Sequence, residues 1–139
     1  MRYRDLIDTG SGGYDIEHVI PSIYSRYRGH WSDQTSFEDE RSWIGGLLLI
    51  PSRENRAIGK LTYEKKLPLY LKHNRLAASL NSAAYERDPA FHSFREVSNL
   101  PFQSYQEFAK RELYERQGLY EQIAEQVWSP ERIKVEAGL

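Results

Sequence analysis

Cysteine is absent from the 139 residues, so disulfides and thiolate zinc sites are excluded, and a reducing compartment fits the chain without being required. Long apolar runs are absent too. The longest, Ile44 to Pro51, is far short of the roughly 20 residues that span a bilayer, and no basic segment followed by an apolar stretch opens the chain. The sequence reads as cytoplasmic. Neither sign of charge is in excess: 19 Lys and Arg against 20 Asp and Glu leave a net of −1, which gives no overall attraction to nucleic acid. No internal repeat or low-complexity tract is visible. Tyrosine is plentiful, ten in all, within a composition otherwise ordinary for a soluble globular protein. The length suits one domain with one core and is too short for two.

The chemistry concentrates in Tyr14-Asp15-Ile16-Glu17-His18-Val19-Ile20-Pro21. Two carboxylates and an imidazole sit in an apolar, β-prone run, and Pro21 cannot donate a ladder hydrogen bond, so the stretch reads as a short strand that stops at its chemistry. Alternation with a period of two puts Glu17 and His18 on opposite faces of a straight strand. Both reach one site only where the backbone twists or turns near Pro21. Glu17 and Asp15 are hard oxygen ligands for a divalent metal, and His is suited to moving a proton near neutral pH, so acid beside His makes a natural metal-plus-base pair. The plainer alternative is a half-buried strand whose polar residues face water.

Around that stretch the chain divides simply. Residues 1–13, ending in Thr9-Gly10-Ser11-Gly12-Gly13, read as a tail or linker stub, and 14–139 as the domain. After Pro21 comes a polar, aromatic loop with His30 beside Trp31; His30 is within reach of the site, or packs locally. Ser36-Phe37-Glu38-Asp39-Glu40 predicts a short helix to about Trp43, capped at Ser36. Gly45 to Pro51 reads as a buried strand pairing with the first. Ser52 then serves as N-cap of a turn of helix carrying Asn55 and limited by Gly59, where the Asn55 amide oxygen is a second, neutral candidate ligand. Helix follows from Thr62, with Pro68 opening a second helix that runs through Leu80. Asp88-Pro89 opens another that stops before Pro101, with His92 at its surface. A capping box at Ser104 and Glu107 starts a last helical region to Trp128, whose Tyr120, Ile123, Ala124, Val127 and Trp128 form a core stripe and which Gly118 divides.

Charge is uneven along the chain. Residues 53–75 hold seven bases, Arg53, Arg56, Lys60, Lys65, Lys66, Lys72 and Arg75, against Glu54 and Glu64, a local +5. This is a candidate phosphate-facing surface or simply a solvated helix face.

A strand ending in Glu-His, a second strand and a helix bearing Asn, followed by a basic segment, resembles the ββα-metal core of the HNH, or His-Me finger, endonucleases. The matching residues are Asp15 to Pro21 and Ser52-Arg53-Glu54-Asn55-Arg56. Ile44 to Pro51, Tyr63-Glu64-Lys65-Lys66-Leu67-Pro68 and Trp128-Ser129-Pro130-Glu131-Arg132 extend the likeness to the C-terminal nuclease domain of GmrSD-type and SspE-type restriction proteins, over about 14–132. The resemblance implies an α+β, mostly helical fold, with a ββα core over about 14–60 and helical support over 61–132. It also implies a metal-dependent DNA endonuclease, the cytoplasmic effector domain of an anti-phage restriction system, joined to an N-terminal NTPase or sensor domain in a longer parent protein. On it, His18 is the general base and Glu17 and Asn55, with Asp15 as a further ligand, hold Mg²⁺ or Mn²⁺. Lys66, with Lys65, Lys60 and Arg56, contacts DNA phosphate, and His30 supports from behind. One departure is Gly46, where many HNH proteins carry Asn. Two rivals stay open: a nucleic-acid-binding or partner-docking module of the same fold without chemistry, and a metal hydrolase acting on another phosphate ester.

Overall fold

The computed structural model describes residues 13–138; the rest of the expected tail lies outside the described residues. Over them the fold is α+β and mostly helical, around a two-stranded antiparallel hairpin. β1 (Tyr14–His18) pairs with β2 (Leu47–Pro51) in a register that sets Asp15 opposite Ile50, Glu17 opposite Leu48 and His18 opposite Leu47. The ladder continues past both ends, Ser52 N to Gly13 O at 2.9 Å and Val19 N to Gly46 O at 2.8 Å. Alternation sorts the hairpin into two faces. Glu17, Leu48 and Ile50 are buried, while Ile16 and Leu49 on the other face are 58% and 48% exposed.

Between the strands lie a 3-10 turn at Tyr24–Arg26 and α1 (Gln34–Glu40). Asp33, not Ser36, caps α1, its carboxylate accepting from Ser36 N at 2.7 Å. Trp31 and Phe37 anchor an aromatic cluster with Tyr24 and Tyr27 in the main core. β2 then passes directly into α2 (Ser52–Ile58), which ends at Gly59 as expected. Ser52 is the first helical residue and not the cap: Pro51 takes that position without a side-chain bond, and Ser52 Oγ donates to Asp15 at 2.9 Å.

α3 (Tyr63–Tyr70) follows Thr62 and holds Pro68 inside it, where the sequence predicts the opening of a second helix. The missing Pro68 amide would have served the carbonyl of Glu64, an exposed residue that water reaches. The short helices α4 (Arg75–Ala78) and α5 (Ala83–Arg87) lead to α6 (Pro89–Ser98), capped by Asp88 and ended by Asn99 at φ 54°. The last region departs from expectation. α7 (Lys110–Val127) begins well after the Ser104–Glu107 pair and runs unbroken through Gly118, and α8 (Pro130–Glu136) is capped by Ser129. Its expected core stripe holds in part: Tyr120 and Ile123 pack, half-buried, on a second core cluster around Phe91 and Leu119, while Val127 and Trp128 are 42% and 67% exposed; the residues α7 buries fully include Leu113, Arg116 and Leu119. Gly45 and Gly46, read as the start of a strand, form a 3-10 turn pressed on α7. A Cβ on Gly45 would stand 2.5 Å from the backbone nitrogen of Gln117. Among the described residues no helix is long and apolar enough to cross a membrane.

Candidate functional site

Glu17 points inward from β1, and its Oε1 accepts from Lys66 Nζ at 2.8 Å. The same ammonium donates to the His18 carbonyl at 2.8 Å. Lys66 is fully buried. This corrects its expected place against DNA phosphate: it is the internal counterion of the expected metal ligand. The cause lies in helical spacing, because Thr62, Lys66 and Tyr70 recur every four residues and share one face of α3. Burial raises the Glu17 carboxyl above its ordinary 4.5 and lowers the Lys66 ammonium below its ordinary 10.5, and their attraction offsets part of both shifts. A pair so placed adds little stability, because desolvation cancels much of the attraction, yet removing one partner costs about 3–5 kcal/mol.

Four buried polar atoms around this pair and on α2 have no hydrogen-bond partner among the described residues: Glu17 Oε2, Asn55 Oδ1, Thr62 Oγ1 and the Tyr70 hydroxyl. Orphans of this kind are rare in folded chains and mark places where water or an ion belongs. Burial and then the charge of Glu17 push the Tyr70 phenol up. Asn55 stands three residues before buried Ile58 on α2, so it shares the helix face that meets the hairpin core.

His18 closes β1, half-buried. Its Nε2 lies 3.2 Å from Ser42 Oγ, its one side-chain hydrogen-bond partner among the described residues. Burial, then the charges of Arg41 and Lys66, lower the imidazole below its ordinary 6.5, against an opposing pull from Glu38. Arg41 donates from Nε to the Ile20 carbonyl at 3.1 Å, which holds its charge near both Glu17 and His18. Glu17 and His18 thus leave the strand on different faces, yet share the field of Arg41 and the grip of Lys66.

The other expected residues divide cleanly. Asp15 is tied to Ser52 at the start of α2. Arg56, Lys60 and Lys65 are exposed, as phosphate contacts require. His30 is exposed, its ring 6.3 Å from that of Trp31, and it hydrogen-bonds neither Glu17 nor His18. His92 is at the surface with Glu96 at 3.2 Å, as expected. Sequence reasoning missed Arg41, Ser42 and Tyr70. Only Tyr70 left a signal, its spacing of four from Lys66.

Among the described residues no cluster of three or more His, Asp or Glu gathers to hold a metal. The fit therefore turns on Glu17 Oε2 and Asn55 Oδ1, two hard oxygens without partners. Both are of the hard-oxygen type a divalent ion takes, and both are closed to solvent. Comparisons with protein-family models, with curated proteins and with solved structures gave no match.

Proposed function

We propose that the chain is an HNH-type, metal-dependent endonuclease that hydrolyses DNA phosphodiesters, with β1, β2 and α2 as its ββα core, and that it serves as the effector domain of an anti-phage restriction system. The observation that carries this reading is the pair of buried oxygens without partners among the described residues, Glu17 Oε2 on the strand that ends in His18 and Asn55 Oδ1 on the helix that follows the second strand. Glu17 and Asn55 would hold Mg²⁺ or Mn²⁺, which when bound supplies positive charge to the phosphate and the departing oxygen. Asp15, held by Ser52, fixes the start of α2 and hence Asn55. His18 acts as general base, a role worth roughly 10²–10⁴ in rate. In the tautomer that carries its hydrogen on Nε2, toward Ser42 Oγ at 3.2 Å, the imidazole keeps the Nδ1 lone pair for the proton of an attacking water. Arg56, Lys60 and Lys65 position the backbone without reading sequence.

One observation favours a second reading, a binding module without chemistry: Lys66 already gives Glu17 a counterion, so the acid has a structural use with no metal. Plasmid nicking decides between them. The wild type should nick in Mg²⁺ or Mn²⁺, His18→Ala should not, and Glu17→Ala and Asn55→Ala should need more metal, Glu17→Ala the more severely. A wild-type chain that nicks no supercoiled, relaxed or modified plasmid in either metal overturns the nuclease reading.

A further inference from the structure

Alternation turns Ile16 and Leu49 away from the core, yet neither is polar. With Ile44 they floor a groove of about 840 Å³, and all three are about half exposed. A second hollow of about 350 Å³, over Phe94, Leu100 and Val127, meets the first at Arg75 and Leu76, so the two form one continuous trough. Uncovered apolar surface on this scale marks a place where another molecule sits. So open a floor suits a protein partner better than a small ligand, whose pocket hides most of the ligand's surface.

Two observations say what covers it. The charged side chains that line the trough are Lys72, Arg75 and Arg132, with no Asp or Glu among them, in a chain whose net charge is −1. Lys72 and Arg75 meet no carboxylate among the described residues, and the Arg75 guanidinium is braced 5.9 Å over the ring of Phe94. The trough therefore sets positive charge beside apolar surface. The outward carbonyls of β2, in turn, are already taken, that of Leu47 by the Tyr120 hydroxyl at 2.9 Å and that of Leu49 by the Asn74 amide at 2.8 Å, and Pro51 has no N–H to offer. An added strand finds little to pair with there, so the occupant brings side chains and not backbone, as a helix in a groove does.

We propose that the trough docks an acidic amphipathic helix of a partner protein, with leucine-like side chains against Ile16, Leu49 and Leu76 and carboxylates toward Lys72 and Arg75. It lies across the hairpin from Glu17, so the nuclease reading can fail without touching it. The probe is an end-capped peptide of about 12 residues, too short to be helical alone, with Leu at i, i+3, i+4 and i+7 and Glu flanking them; a second peptide carries Lys for every Glu. Titrated by calorimetry into the whole chain, the Glu peptide should bind at least tenfold more tightly than the Lys peptide, and should gain helix by circular dichroism as it binds. Lys72→Glu with Arg75→Glu should invert that preference. Leu49→Asp should weaken the Glu peptide at least tenfold while the chain still unfolds cooperatively; where it fails to fold, the surface charge reversal decides. Equal binding of both peptides, binding of neither, or a bound peptide that gains no helix overturns the proposal. So does either rival occupant. A dimer in sedimentation that Leu49→Asp abolishes assigns the face to a second copy, and Glu-peptide affinity that rises tenfold in Leu6→Ser with Ile7→Ser assigns it to the chain's own first residues.

Discussion

His18 stands among cations, and the sign of its shift fixes how the chain answers acid. Its imidazole is held below the ordinary 6.5 by burial and by Arg41 and Lys66, so below pH 6.5 the unfolded chain takes up a proton that the folded chain resists. The stability this group contributes is present above 6.5 and is lost as pH falls through the lower folded value. Urea unfolding of the metal-free chain should therefore show a loss as pH falls below 6.5 that is smaller in His18→Gln. The same shift keeps the base neutral at working pH, so the acid limb of the nicking profile should fall below 6.5, and a limb above 6.5 would count against His18 as base. His18→Ala should cost about 10²–10⁴ in rate, with metal affinity nearly unchanged, since the imidazole is not among the donors. The placement of Glu17 and His18 at a strand end and of Asn55 one turn into a helix was legible, because each is set by local pattern. The role of Lys66 was not. Counting charge treats the seven cations of 53–75 alike, and only the packing of α3 turns one of them inward.

At the scale of elements, the segment from α2 to α3 keeps three of its expected phosphate-binding side chains at the surface. Changing Arg56, Lys60 and Lys65 together to Ala should weaken DNA binding on all sequences and flatten the dependence of log affinity on log salt by about 0.9 for each phosphate no longer neutralised. Fluorescence anisotropy across a salt series measures this, and an unchanged slope returns the segment to a solvated face. Lys66 is left out of that variant because changing it disturbs the core. The strands were legible from pattern, α2 from its stop at Gly59 though not from its cap, and α6 from Asp88, whose change to Ala should lower stability by about 1 kcal/mol through loss of its bond to Phe91 N at 3.1 Å. The start of α7 was not legible. Tyr105 N donates to the Leu80 carbonyl at 3.0 Å and the Tyr63 hydroxyl to the Tyr105 carbonyl at 2.7 Å. Those tertiary bonds hold the chain extended past Ser104 and Glu107, where a capping box alone predicts helix.

For the whole molecule, the hairpin separates two unlike sides. Glu17 and its counterion lie inward, while the outward face, with Ile16, Leu47 and Leu49, lines an apolar groove of about 840 Å³. The long helix is bound to the hairpin over successive turns. Leu113 packs beneath Gly46, the Gln117 side chain accepts from Gly45 N at 2.8 Å, and the Tyr120 hydroxyl donates to the Leu47 carbonyl at 2.9 Å. Gly45→Ala drives a methyl into helix backbone that cannot rotate away, and should lower stability by about 1–3 kcal/mol, read as a fall in Tm. The grip also dictates how the protein breathes. β2 cannot lose its backbone pairing without releasing α7, so the amides of Leu48 and Ile50 and those midway along α7 should trade hydrogen for deuterium in one concerted opening, while α8, with Ile133 and Val135 largely in solvent, exchanges on its own, faster clock.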